Sequence, residues 1–230
     1  MLGSGINKYG LEDCSVIVTC KGRLSHLQRS LPRQLALGAG EYILVDYADP
    51  EECGRWAQKN YANVKVVRPK ALCPPYFNAS HARNCGARVA EGGLLVFLDA
   101  DILPKQVWLL QILAAFNRQP GLVMAHGAFM RKNAGKTGSC VVLTSAFVSV
   151  RGYREEIDRW GYEEIDLFRR LAKVGKNFRS DSGLLDCLHH SDGQRTQHYP
   201  ERDKERGHEA MMALVESAGD GVVNPNGWGS

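Results

Sequence analysis

Three places in the 230-residue chain put acids where they could do chemistry. Asp99 and Asp101 stand in Leu98-Asp99-Ala100-Asp101, directly after the apolar run 94–98. Alternate residues leaving a strand can bring two carboxylates to one point. Such hard oxygen donors suit Mg²⁺ or Mn²⁺, ions that usually share their coordination with substrate phosphates. Glu163 and Glu164 open a helical stretch in Trp160-Gly161-Tyr162-Glu163-Glu164-Ile165-Asp166. Acids there either favour the helix dipole or face a cleft, where one could act as a general base. Asp46 closes the run Tyr42-Ile43-Leu44-Val45. Further on, His189 and His190 are adjacent, so on an extended chain they face opposite ways. Imidazole nitrogen added to carboxylate oxygen favours Mn²⁺ over Mg²⁺. The first apolar run ends in Thr19-Cys20-Lys21-Gly22-Arg23. It lacks the G-x-G-x-x-G of a dinucleotide turn and leaves Lys21 and Arg23 placed to meet phosphate or a nucleotide.

These residues converge only if the chain alternates strands and helices. The apolar and β-branched runs 15–20, 42–46, 64–67 and 94–98 predict strands. Helical patterning predicts helices over 24–37, 50–60, 78–91 and 104–118, with Pro32 marking a kink or break in the first. That order implies an α/β fold. A mostly parallel central sheet is flanked by helices, and ligands bind at the carboxyl ends of its strands. The second half is smaller and mixed α+β. It holds strands over 121–132 and 139–150 around a Gly-rich turn, and a helix over 163–174 with the stripe Ile165, Phe168, Leu171 and Ala172. A short strand follows at 184–188, then a polar, mobile loop over 189–208, a last helix over 209–218 and a frayed tail over 219–230.

Composition narrows the class. Hydrophobic residues make up 44% and charged residues 23%, ordinary for a globular domain. Lys and Arg total 29 against 25 Asp and Glu, a net charge of +4. That suits an anionic small molecule and is too weak to indicate nucleic acid. No window has the ~18 uninterrupted apolar residues of a membrane span, and residues 1–13 lack the apolar core of a secretory signal. Seven cysteines, none in C-x-x-C spacing, indicate neither a disulfide framework nor a zinc finger. The expected location is the cytoplasm.

Val16-Ile17-Val18-Thr19-Cys20-Lys21-Gly22-Arg23 resembles the opening strand and nucleotide turn of the GT-A glycosyltransferases. Tyr42 to Asp46 resembles their second strand with its uracil-contacting acid; where many members carry a second Asp, this chain has Tyr47. Ala82-Arg83-Asn84-Cys85-Gly86 resembles the A-R-N-x-G segment of the family 2 enzymes, and Leu98-Asp99-Ala100-Asp101 their D-x-D. Trp160 to Asp166 resembles the W-G-x-E-D/E segment of β-1,4-galactosyltransferases, chondroitin-polymerase-like enzymes and polypeptide GalNAc-transferases. Residues 23–27 and Phe77-Asn78 are also similar to the β-1,4-galactosyltransferases. The likeness spans residues 15–191.

The resemblance implies one GT-A domain over 1–218, with a nucleotide-binding half at 1–118 and an acceptor and metal half at 119–218. A lid lies near 192–207, and a flexible tail follows at 219–230. It implies a UDP-sugar of galactose, GalNAc or GlcNAc type and transfer to an acceptor hydroxyl with inversion. The acceptor class stays open between glycan, lipid-linked sugar and peptide. By the same likeness Asp101 and His190 hold Mn²⁺ (or Mg²⁺), and Asp99 supports the ribose or a metal-bound water. Glu164 is the base and Glu163 holds substrate hydroxyls. Asp46 and Arg83 read uracil with Phe77 stacked on it, and Thr19 and Arg23 line the nucleotide turn. Trp160 is either a stacking platform for a sugar or a core anchor. Retaining transfer, a non-catalytic nucleotide-sugar-binding module and a sugar nucleotidyltransferase are the competing readings.

Overall fold

In the computed structural model, which describes residues 8–70, 76–127, 136, 138–219 and 221–229, the first half alternates as its periodicities predict. Strand β1 (Cys14–Cys20) is flanked by parallel β2 (Glu41–Asp46) and β4 (Leu94–Asp99), and β2 pairs with β3 (Val64–Val67). A three-residue strand, β5 (Ile102–Pro104), leaves the sheet. Then β6 (Leu122–Gly127), β7 (Cys140–Leu143) and β8 (Lys176–Ser180) extend it to the order β3-β2-β1-β4-β7-β6-β8. β7 runs antiparallel to both neighbours and the other pairings are parallel. The chain moves outward from β1 through β2 to β3 and returns to place β4 on the other side of β1. The reversal opens a crevice at the carboxyl ends of β1 and β4, where open α/β sheets bind ligands.

Both faces of the sheet are covered. On one, Val16, Val18 and Cys20 of β1 pack with Leu27 and Leu31 of α1 (Leu24–Leu35), Ala57 of α2 (Cys53–Asn60) and Trp108 of α4 (Gln106–Arg118). On the other, Ile17 meets Ala82 and Cys85 of α3 (Ala79–Arg88). Phe147 of α5 (Thr144–Ser149) and Leu167 and Leu171 of α6 (Glu163–Ala172) complete that face. Burial on both faces explains why these strands read as continuous apolar runs. Helix α3 is capped by the Asn78 side chain, which accepts from His81 N at 2.9 Å. It lies so close to β1 that a Cβ at position 86 would stand 2.5 Å from Ile17 Cγ2, so only glycine fits there.

The second half departs from its sequence reading in several places. Of the strand expected over 139–150, only β7 is extended. Thr144 then caps the change of direction, its N and Oγ1 donating to Gly93 O and Gly92 O at 3.0 and 2.6 Å, and α5 follows. The strand expected over 121–132 is present as Leu122–Gly127, and residues 128–132 lie outside the described residues. Strands β5 and β8 have no apolar run to announce them. Among the described residues β8, Lys-Asn-Phe-Arg-Ser, is an edge strand paired on one side, and β5 pairs only with β9 (Leu185–Cys187). The polar stretch 189–208 contains α7 (Asp192–Thr196), capped by Ser191, and the start of α8 (Lys204–Ala218), capped by Asp203. Helix α1 runs through Pro32 without a break. Residues 221–229, read as frayed, are docked. Arg151 donates to Val223 O and Asn224 O at 2.7 and 2.6 Å. Trp228 packs edge-on to Phe147, and Gly229 N donates to Glu155 at 2.7 Å. Among the described residues, no helix is long and apolar enough to cross a membrane.

Candidate active site

The D-x-D turn is built by the strand before it and by helix α1. β4 ends at Asp99, and the next residues turn into β5. Two buried polar side chains of α1 hold that turn. Ser30 Oγ donates to Ala100 O at 2.6 Å, and Gln34 Nε2 donates to Asp99 O and Ile102 O, both at 3.0 Å. The β5–β9 pairing sets Ile102 against Cys187, and Leu188 N donates to Asp101 O at 2.8 Å. That ribbon brings the following residues back to the turn, so His190 Nε2 lies 2.6 Å from Asp101 Oδ2. His189 is exposed. Asp101 Oδ1 is buried and has no hydrogen-bond partner among the described residues. A carboxylate oxygen left without a donor, an imidazole beside it and the Asp99 carboxylate one turn away form a donor set that fits Mn²⁺ or Mg²⁺.

The two glutamates reach the same crevice through a strained turn. Gly161 and Tyr162 both have left-handed backbone, φ +91° and +75°. For tyrosine this is unfavourable, and burial of its ring with Ile157, Met211 and Val215 compensates. The turn aims the first residues of α6 at Arg83 of α3. Arg83 Nη1 donates to Glu163 Oε1 at 3.1 Å. Its Nη2 donates to Asp99 Oδ1 at 2.9 Å and to Glu164 Oε1 at 3.4 Å. The guanidinium also stacks on Tyr153, 5.2 Å from the ring centroid. One buried cation therefore gathers acids from a strand end and a helix start.

Their crowding shifts their titration. Burial, then the neighbouring Glu163 charge, pushes Glu164 up to about 8, with Arg83 opposing; burial likewise raises Asp99. The folded state thus keeps a proton on Glu164 that the unfolded chain releases near 4.5. The unfolded state binds fewer protons between those values, so stability falls as pH rises from 4.5 to about 8. Glu164→Gln is expected to flatten much of that decline. Denaturant melts of both proteins at intervals from pH 4.5 to 8.5 check it; parallel profiles would contradict the assignment.

The cleft encloses about 290 Å³ and is lined by Thr19, Arg23, Phe77, Arg83, Asp99, Asp101, Trp160, Glu163, Glu164 and His190. Of the residues given a site role from the sequence, Asp46 alone is missing from this lining; His189, the other imidazole singled out, is exposed and does not line it either. Asp46 lies outside it, in a separate surface depression, its carboxylate accepting from Arg68 Nε at 3.1 Å and Asp49 N at 2.9 Å. Arg83, expected to read a base, has both terminal nitrogens on carboxylates. Phe77 is packed edge-on between Tyr47 and Tyr199, with centroids 5.5 Å from each. Trp160 lines the cleft, with Lys204 Nζ and Arg195 Cζ 5.0 and 5.7 Å from its ring.

Several lining or supporting residues escaped the sequence reading. α7 and the turn after it close against the nucleotide turn. Arg23 Nη2 donates to Gln194 O, and Phe77 N donates to His198 O at 2.7 Å. Arg195, His198, Tyr199, Lys204 and His208 enter the lining this way, from a stretch whose polarity hides its two helices. Ser30 and Gln34 did carry a signal, as polar residues four apart on the face that buries Leu27 and Leu31.

A sequence profile described as Glycosyl transferase family 2 matches residues 15–167. The chain belongs to glycosyl transferase family 2. As a family 2 glycosyltransferase it carries Arg83, Asp99, Asp101, Glu163 and Glu164 within the matched stretch, while His190 and the residues of α7 and α8 lie beyond it. No curated protein matches its sequence. Solved structures do match in fold. A mannosyltransferase from Pyrobaculum calidifontis, in complex with GDP-Man and Mn²⁺, shares 14% identity over 90% of this chain and 76% of its own, with a TM-score of 0.63. The catalytic domain of Drosophila β1,4-galactosyltransferase 7 shares 15% over 84% and 77%, with a TM-score of 0.56. Residues 1–349 of S. aureus TarS share 15%; the match covers 73% of this chain but only 57% of that one, with a TM-score of 0.57. At such identities the likeness is one of fold, the GT-A fold expected from the sequence.

Proposed function

We propose that this glycosyltransferase moves a sugar of galactose, GalNAc or GlcNAc type from a UDP-sugar to an acceptor hydroxyl with inversion, using Mn²⁺ or Mg²⁺. One observation carries the reading: the Asp101–His190 pair, with its unpartnered oxygen, and the Glu164 carboxylate line a single cleft. Asp101, His190 and Asp99 would hold the ion. When bound, it neutralises charge developing on the departing diphosphate. Thr19, Lys21 and Arg23 would flank the nucleotide. Glu164 accepts the proton of the acceptor hydroxyl as that oxygen bonds to the anomeric carbon, whose bond to the diphosphate breaks so that UDP leaves from the opposite face. Arg83 holds Glu163 and Glu164 in register with Asp99. Trp160 offers a flat face for the acceptor ring.

Complexes of similar folds support the donor and metal classes. Glucosyl-3-phosphoglycerate synthase from Mycobacterium tuberculosis was crystallised with Mn²⁺ and UDP, and TarS with UDP-GlcNAc. The mannosyltransferase took GDP-Man, so the base is a point to test. With Asp46 held by Arg68, uracil would be recognised by other groups at the β1–β2 edge. In calorimetry, UDP is expected to bind with Mn²⁺ present and weakly with EDTA, and to outcompete GDP. Asp101→Ala is expected to remove the Mn²⁺-dependent part while circular dichroism stays native. Equal UDP affinity with Mn²⁺ and with EDTA would overturn the metal assignment, and displacement of UDP by equimolar GDP the base assignment.

A further inference from the structure

The acceptor side of the cleft carries charge that the reaction proposed above does not use. The acids of the floor draw on other partners: Arg83 contacts Asp99, Glu163 and Glu164, and His190 faces Asp101. The opposite wall is cationic. Lys204, at the start of α8, and Arg195, in α7, reach over Trp160 and line the same cleft. Among the described residues their ion pairs run only to Asp192, at 3.0 and 4.0 Å, and that carboxylate is 65% exposed. An exposed pair of this kind is weak and readily exchanged. Arg195 Nε is moreover buried and without a hydrogen-bond partner. A buried guanidinium donor left unmet is costly unless a ligand supplies the acceptor.

Lys21 and Arg23 stand at the β1 end and line the cleft with Thr19, where the proposed function puts the donor diphosphate. Lys204 lies over Trp160 and lines the same cleft as Glu163 and Glu164. We infer that the acceptor carries an anionic group, a carboxylate or a phosphate, on or beside the ring that stacks on Trp160, and that Lys204 and Arg195 receive it. The inference rests on the donor and base assignments of the proposed function. It makes the segment after His190 a reader of acceptor charge: an anion draws Lys204 and Arg195 from Asp192 and docks α7 and α8 over the ring. Charge-assisted hydrogen bonds of this type, partly desolvated, discriminate well against a neutral analogue.

The test uses the whole chain loaded with UDP and Mn²⁺, so that donor phosphates already occupy their place. Affinities are measured by ligand-observed NMR for two matched pairs, methyl glucuronide against methyl glucoside and glucose 6-phosphate against glucose. The anionic member of at least one pair is expected to bind about tenfold tighter, the two arms separating carboxylate from phosphate. The preference is expected to weaken with added salt and to vanish in Lys204→Gln. Equal affinities within both pairs, no binding by any of the four, or a preference that survives Lys204→Gln would overturn the inference. Failure of UDP itself to bind in the same sample overturns the donor assignment and this inference with it; equal affinities with UDP bound overturn this inference alone.

Discussion

Glu164→Gln is expected to lower the rate of sugar transfer about 10²–10⁴-fold, the usual worth of general-base help, while donor affinity stays nearly unchanged. Glutamine keeps the shape and the contact to Arg83 but cannot accept the proton. The same carboxylate supplies a second signature. Because burial and Glu163 hold its proton up to about 8 in the empty cleft, the wild-type rate is expected to climb through the neutral range as Glu164 ionises. Glu164→Gln should lose that limb. Glu163, whose Oε1 is tied to Arg83 at 3.1 Å, acts earlier in the cycle; Glu163→Gln is expected to raise KM more than it lowers kcat. Transfer is followed by release of UDP with acceptor present, and product configuration by NMR. Full activity in Glu164→Gln, or a product that keeps the donor's anomeric configuration, would remove the inverting mechanism.

The largest structural effect is expected at Arg83. Its side chain is 5% exposed and serves three carboxylates. Arg83→Met keeps much of the volume but leaves buried acids facing one another without a cation. Removing one partner of such a cluster typically costs about 3–5 kcal/mol, which for a domain of this size is a fall in Tm of roughly 10 °C. The sign with pH is fixed by the same chemistry. At pH 5 the abandoned carboxyls protonate readily and the loss shrinks; at pH 8, where the unfolded chain holds them ionised, either burying their charge or protonating them is costly and the loss is greatest. Thermal melts at the two values decide. A variant within about 1 °C of wild type at both would mean that the three contacts contribute nothing net.

The first half was legible because it is buried on both faces. Strands such as Leu94 to Leu98 are apolar throughout, and Asn78 and Gly86 sit where a cap and a close approach demand them. The site acids were legible for a related reason: they end strands or begin helices, where topology alone brings them together. Illegible features lacked a hydrophobic signature. β8 is an edge strand with one apolar residue, Phe178, and β5 is three residues long. α7 is held by a capping box at Ser191 and Gln194 rather than by apolar periodicity. Asp46 shows the other limit. Its place at a strand end was correctly read, yet Arg68, 22 residues on, engages the carboxylate, and no local pattern foretells that.

The span of the site contacts bears on how the cleft comes into being. Arg83 meets Glu163 across 80 residues, Asp101 meets His190 across 89, and Arg23 meets Gln194 across 171. Each closes a long loop of chain, an entropic cost that falls due before the contact returns anything. The pairing of β1 with β4 itself spans 80 residues, and Arg83 can gather its three acids only when that pairing and α6 are both in place. The β5–β9 ribbon must zip before His190 has an address. A partly folded chain can hold most of its sheet and still possess no cleft, so during refolding the competence to bind trails the return of secondary structure.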